Sequence, residues 1–194
     1  MKEKNYLALF AKSFNWAGFF LPKKIYHDCS KLYAFCRILD DIVDEKTSLE
    51  LRIERFNNIR DVFKQIYEQT NFDRKLIDQD EHGSILNDMI IIADNNKIKR
   101  IILDDLIEGV GSDLKPKVYL SSVKDLLVYS YKVAGTVGLM MAKILNVNDT
   151  RSLRGAIDLG IAMQLTNIAR DVIEDKKMNR QYIKPDFENI EATL

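Results

Sequence analysis

Apolar residues recur three and four positions apart along most of this chain, and strict apolar–polar alternation is nearly absent. That pattern predicts helices rather than strands. The segments it marks run from about 24 to 45, 49 to 69, 85 to 93, 97 to 108, 123 to 145 and 149 to 177. Pro22, Pro116 and Pro185 fall where periodic segments begin or stop, the places a helix tolerates a residue without a backbone N–H. No linker, internal repeat or low-complexity tract interrupts the pattern, so the expectation is one all-α domain, a helical bundle spanning 1–194. Gly135 and Gly138 lie inside YSYKVAGTVGLMMAKIL, where each costs about 1 kcal/mol relative to alanine. Close helix packing and a kink that admits a ligand explain them equally well.

Composition narrows the function classes. A chain of 194 residues is long enough to bury a sizeable core. Lysine plus arginine and aspartate plus glutamate both count 29, so no basic excess points to nucleic acid, and any anion must be bound by local clusters. Cys29 and Cys36 form no metal-ligand pattern, which suits small apolar fillers in a reducing cytoplasm. No stretch approaches the roughly 18 to 20 unbroken apolar residues of a spanning helix, and the opening MKEKNYLALFAKSF lacks the features of a signal peptide. A soluble, cytoplasmic protein is expected; contact with a membrane surface and the oligomeric state are left open.

Two acidic segments carry the chemistry. In YAFCRILDDIVDE, Tyr33, Arg37, Asp40 and Asp44 are spaced by four, three and four residues, which puts them on one stripe of a helix with Asp41 at its edge. Leu32, Phe35, Leu39, Ile42 and Val43 fall on the other side. Like charges one turn apart repel, and a bound cation would offset this. In QLTNIARDVIEDKKMNRQYI, Gln164, Asn167, Asp171 and Asp175 form a second stripe. The apolar LGIAM just upstream suggests that this stripe starts in a buried segment. Carboxylate oxygens are hard ligands, and magnesium is usually held by one or two carboxylates with substrate phosphates and water. The cations Arg170, Lys176, Lys177 and Arg180 suit a magnesium diphosphate complex. A third cluster, Asp104, Asp105 and Glu108 in ILDDLIE, shares its face with no arginine, asparagine or glutamine and reads as a solvated face. His27 and His82 have no paired-ligand spacing, and no GxGxxG, P-loop or GxSxG occurs, so nucleotide binding and serine-hydrolase chemistry have no support.

The ordered series AKSF, YAFCRILDDIVDE, LIEGVGSDL, YSYKVAGTVGLMM and QLTNIARDVIEDKKMNRQYIKP resembles the squalene/phytoene synthase family over nearly the whole chain. The resemblance implies an isoprenoid-synthase helical bundle. It also implies magnesium (or manganese) bound by Asp40, Asp41 and Asp44 on one side and by Asn167, Asp171 and Asp175 on the other. Ser13, Tyr33, Arg37, Gln164 and Arg170 match the positions that contact diphosphate and substrate. Arg180 and Tyr182 match a segment that covers the diphosphate. Tyr129 matches the tyrosine of the later steps, as a proton acceptor or cation stabiliser.

The implied reaction joins two prenyl diphosphates through a cyclopropyl diphosphate intermediate, with apolar helices keeping water from the cation. Val133 to Met141 are candidates for that lining and for ordinary core alike. VAGTVGLMM and DLGIAMQLTNIARD look most like the carotenoid-making bacterial branch, which joins two geranylgeranyl diphosphates and needs no nicotinamide cofactor. A synthase of squalene or dehydrosqualene from farnesyl diphosphate and a non-catalytic assembly factor on the same fold are the alternatives. Family members continue through further helices after the second acidic motif, so the chain is either a piece of a complete enzyme, which is the expectation, or is completed by another polypeptide, and little activity is expected from it alone. Ser130 stands where a cysteine is common. The resemblance requires both stripes to grip one diphosphate.

Overall fold

The computed structural model describes residues 16, 18, 20–68 and 81–183. It is helical almost throughout these residues, as the periodicity predicts. The chain gathers into two compact units, Met1–Arg100 with Met141–Val147, and Ile101–Met140 with Asn148–Leu194.

The first unit is built on α1 (Lys23–Val43), which starts directly after Pro22. Leu32, Phe35 and Leu39 recur at helical spacing and are fully buried. On α2 (Leu49–Glu68) the buried residues are Phe56, Ile59, Phe63 and Ile66, and Phe63 stacks on Phe35 at 5.9 Å between ring centroids. Arg52 donates from Nη1 to the Val43 carbonyl at 2.6 Å, satisfying one of the orphan acceptors at the end of α1. α3 (Glu81–Asn95) contributes Leu86, Met89, Ile90 and Ala93 to the core, and Lys31 pairs with Asp88 at 2.8 Å between α1 and α3. Cys29 is buried, donates to the Met141 thioether at 3.3 Å, and has its thiol pushed up to about 11 by burial. A thiol held neutral behaves as an apolar filler.

The second unit holds α4 (Arg100–Gly111), β1 (Val118–Tyr119), α5 (Val123–Ser130), most of α6 (Thr136–Ile144), α7 (Thr150–Arg170), α8 (Val172–Lys177) and β2 (Arg180–Gln181). Ser122 caps α5 by accepting the Asp125 N–H at 3.1 Å. Asp149 caps α7 by accepting the Ser152 N–H at 2.8 Å. α3 and α6 end alike: Lys97 and Asn146 take positive φ, and Ile98 and Val147 donate back to the Ala93 and Ala142 carbonyls. These are the left-handed residue and the 6→1 bond of a Schellman ending.

Two breaks depart from the predicted helices. The segment expected to run unbroken over 123–145 contains a π-helical turn, Tyr131–Gly135, between α5 and α6. The segment expected over 149–177 is divided at Asp171, whose φ of −101° and ψ of 14° end α7 and open α8. β1 and β2 pair in parallel, Val118 opposite Arg180; two residues carry too little alternation to be read from sequence.

The glycines of this region mark a close approach of backbones. A Cβ on Gly138 would lie 2.2 Å from the Ala156 carbonyl oxygen, and one on Gly160 would lie 2.3 Å from that of Ala134. The π-turn and α6 therefore cross α7 backbone to backbone. Close packing and a local distortion of the helix occur together.

The Asp149 cap gives a prediction. Its carboxyl is held below the usual aspartate range, chiefly by the Ser152 N–H. A depressed pKa contributes stability that is present above the unfolded-state pKa and lost as pH falls through the folded value. Asp149→Ala is therefore expected to lower the melting temperature at pH 7. The gap to wild type should close as pH drops below the ordinary aspartate range. Calorimetry at a series of pH values checks this; a gap that persists at the acid end would mean that the charge of the cap plays no part.

Candidate functional site

The first stripe sits at the C-terminal end of α1. Asp40, Asp41 and Asp44 are exposed, while Ile38 and Leu39 before them and Ile42 and Val43 between them are buried. The Asp44 N–H donates to the Asp40 carbonyl at 2.9 Å, so the one-turn spacing survives to the helix cap. Arg37 pairs with Asp41 at 2.6 Å. Tyr33 is half-buried, and burial raises its hydroxyl pKa, opposed by Arg37 and reinforced by Asp40 and Asp41. The last turn of α1 carries no basic residue, so these carboxylates stand at the negative end of the helix dipole. Each anion so placed costs about 0.3–1 kcal/mol. A donor set of hard oxygens in an unfavourable field is what a divalent cation would relieve, and in that respect the residues fit magnesium.

The second stripe lies across the α7–α8 break. The Asp171 N–H donates to the Asn167 carbonyl and the Asp175 N–H to the Asp171 carbonyl, both at 2.9 Å. Asn167, Asp171 and Asp175 therefore remain one turn apart although the helix changes there. All three, and Gln164, are half-buried. Arg170 grips Asp171 with both prongs of its guanidinium, Nε to Oδ1 and Nη2 to Oδ2 at 2.6 Å each. That hydrogen bonding holds the Asp171 carboxyl below its usual range. LGIAM, expected to be buried, is not: Gly160 alone of it is buried, and Leu159 is 63% and Met163 45% exposed. Gly160 and the half-buried Ile161 meet the crossing segment, while Leu159 and Met163 stay exposed. Among the described residues no three His, Cys, Asp or Glu side chains form a metal-holding group.

A third arrangement gathers Tyr129, Tyr182 and Asp113. The Tyr129 hydroxyl donates to Asp113 Oδ2 at 2.7 Å and lies 3.1 Å from the Tyr182 hydroxyl. The two rings stack at 4.8 Å, with Val118 and Ile168 completing the cluster. Burial, then the Asp113 charge, pushes both phenols well above their ordinary pKa, so both stay protonated. Arg180 is buried in β2. Asp113 is a residue that spacing arguments missed: it sits in the quoted LIEGVGSDL block, but its partners are 16 and 69 positions away, beyond any helical period. Ser130 is fully buried, and its Oγ has no hydrogen-bond partner among the described residues, so a thiol would suit that position equally well.

The cluster read as a solvated face is only partly so. Glu108 is exposed, but it pairs with Lys132 at 2.6 Å. Asp105 is half-buried and accepts the Tyr131 hydroxyl at 3.2 Å. Both acids therefore tie α4 to the π-turn. Val133 to Met141 are buried or half-buried. Ser13 lies outside the described residues. No helix among the described residues is long and apolar enough to cross a membrane.

Comparison with known proteins agrees with the motif series. The chain is 36% identical over 180 residues to a 15-cis-phytoene synthase of Paracoccus sp., an alignment covering 91% of this chain and 57% of that protein. It is 33% identical over 185 residues to a 15-cis-phytoene synthase of Pantoea ananas, with the same coverage. A crystal structure of a dehydrosqualene synthase in complex with ligand superposes with a TM-score of 0.63 at 28% identity, covering 93% of this chain and 59% of that one. The chain thus spans somewhat over half the length of these relatives. With residues 7–185 matching the family described as squalene/phytoene synthase, the chain belongs to that family.

Proposed function

We propose that this chain carries the catalytic residues of a magnesium-dependent phytoene synthase, joining two geranylgeranyl diphosphates head to head. The observation that supports it is the pair of carboxylate stripes, each kept at one-turn spacing by consecutive backbone bonds, in a chain whose relatives bear the name phytoene synthase. Asp40, Asp44, Asp171 and Asp175 would hold magnesium, with Asp41 and Asn167 beside them. Magnesium, when bound, supplies positive charge that makes diphosphate a better leaving group.

The chain's own residues do the remainder. Arg37 and Arg170 each already present a guanidinium to a carboxylate, and the same fork can donate to phosphate oxygens. Ser13, Tyr33, Gln164, Arg180 and Tyr182 complete the substrate contacts. Departure of the first diphosphate leaves an allylic cation that the double bond of the second donor attacks, and loss of a proton from the cation so formed closes the cyclopropane ring. The resulting cyclopropyl diphosphate ionises in turn, rearranges and loses a proton to give phytoene. Tyr129 cannot serve as a phenolate, because its pKa is raised; it acts through its oxygen lone pairs on developing positive charge. No nicotinamide cofactor enters. The hydrocarbon product would partition into a bilayer, which suits a cytoplasmic protein working against a membrane surface.

A second reading, a dehydrosqualene-type synthase acting on farnesyl diphosphate, is favoured by the likeness of the fold to that of a dehydrosqualene synthase. The complete product of the gene, given each donor separately with magnesium, is expected to release phytoene from geranylgeranyl diphosphate. A C30 hydrocarbon from farnesyl diphosphate alone would establish the second reading. Release of neither hydrocarbon would reject both and favour a non-catalytic role for the fold.

A further inference from the structure

Three stretches distant in sequence meet at the Tyr129 hydroxyl: the turn after α4, which carries Asp113, α5 itself, and the residues after β2, which carry Tyr182. Tyr182 lies seven residues beyond Asp175, and the chain reaches it through Asn179, which turns at a φ of 59°. Along that path β2 is held to β1 by Val118 N–H to the Asn179 carbonyl at 3.0 Å and Leu120 N–H to the Gln181 carbonyl at 3.2 Å. A ladder this short does not sustain itself; side chains must pin it. The stacked tyrosines do so, and they pack on Ile168, the residue after Asn167 on α7. The Tyr129 hydroxyl is withdrawn from water and needs an acceptor, and Asp113 provides it at 2.7 Å.

We propose that Asp113 is a positioning residue for the second carboxylate stripe. By accepting the Tyr129 hydroxyl it fixes the Tyr129–Tyr182 stack, and through Tyr182 and the strand pair it fixes the exit of α8, so that Asp171 and Asp175 keep their places. The functional half of this statement rests on reading that stripe as a magnesium diphosphate site. The structural half does not.

The test uses the full chain with Asp113→Ala, Asp113→Asn and Tyr129→Phe. Hydrogen exchange at the Val118 and Leu120 amides reads the lock without reference to function. Loss of one buried hydrogen bond is expected to speed both amides about ten-fold in Asp113→Ala and Tyr129→Phe. Asp113→Asn, whose amide oxygen still accepts, is expected to show much less. Calorimetric titration with magnesium and inorganic pyrophosphate reads the positioning; the affinity is expected to fall about ten-fold in Asp113→Ala and to recover in Asp113→Asn, as for the loss of an outer-shell partner. Should Asp113→Ala fail to fold, Tyr129→Phe carries both comparisons. Unchanged exchange in Asp113→Ala or Tyr129→Phe overturns the lock. Faster exchange with undiminished affinity overturns the positioning role. Wild-type protein that binds no magnesium pyrophosphate overturns the reading of the stripe and the positioning role with it, and the exchange data keep that failure distinct from failure of the lock.

Discussion

Gly160→Ala is expected to destabilise the protein by about 1–3 kcal/mol, whereas Gly155→Ala, five residues earlier on the same helix, is expected to stabilise it by about 0.5–1 kcal/mol. Ordinary helix propensity favours alanine at both positions by about 1 kcal/mol, so the opposite signs come from packing. A Cβ at Gly160 would meet the Ala134 carbonyl oxygen at 2.3 Å, its carbon at 2.8 Å and the Gly135 Cα at 3.0 Å, all of them backbone atoms. None can rotate aside. Relief requires the π-turn and α7 to separate, and that loosens Ile157 and Ile161, both within 3.3 Å of a Cβ placed on Gly135. At Gly155 an added Cβ meets nothing within 4 Å, so only the lowered backbone entropy of the unfolded chain remains. Urea denaturation checks the pair, with the midpoint shifting down for the first and up for the second at constant slope. A stabilised Gly160→Ala would mean that the helices do not cross backbone to backbone.

The helices themselves were legible because burial of one face imposes a period that survives in the sequence. Leu32, Phe35 and Leu39 repeat at that period, and Pro22 marks the start of α1 to within two residues of the expected boundary. The π-turn at Tyr131–Gly135 was not legible. Widening one turn by a residue leaves apolar residues three and four apart on either side, so the pattern carries no scar except the small residues. The break at Asp171 is hidden for a related reason: backbone bonds from Asp171 to Asn167 and from Asp175 to Asp171 continue the helical spacing through it.

The same logic divides the candidate site. The carboxylate stripes could be read because a helix converts spacing into a shared face. Asp113, Tyr129 and Tyr182 could not be joined by such reasoning, since their meeting depends on a turn, a helix and a strand pair brought together by tertiary packing. The LGIAM misreading has another cause. An apolar run shows what a segment could bury, whereas burial depends on a partner, and Leu159 and Met163 stay exposed on either side of the Gly160 crossing. Asp105 and Glu108 erred the other way, because their partners Tyr131 and Lys132 lie on a different helical segment.

Asp171→Asn is expected to cut turnover of the complete enzyme by about 10²–10³-fold, the loss typical of removing one electrostatic contributor to a transition state. The substitution is close to isosteric, so the side chain can still accept from Arg170 through one oxygen, while the charge that attracts a cation is gone. Affinity for magnesium pyrophosphate is expected to weaken by at least the roughly 10–100-fold seen when an outer-shell partner of a metal is removed. The fold should be little affected, since Arg170 is largely exposed and Asp171 only half-buried, and ion pairs in contact with water contribute little. Asp158→Asn provides the control: it too lies on α7 and is exposed, but it is off the Gln164–Asn167–Asp171 stripe, and it is expected to leave turnover and affinity unchanged. Equal losses in both variants would trace the effect to overall charge. Full turnover in Asp171→Asn would remove the second stripe from the proposed chemistry, because on that reading the carboxylate charge holds the cation and a neutral amide cannot replace it.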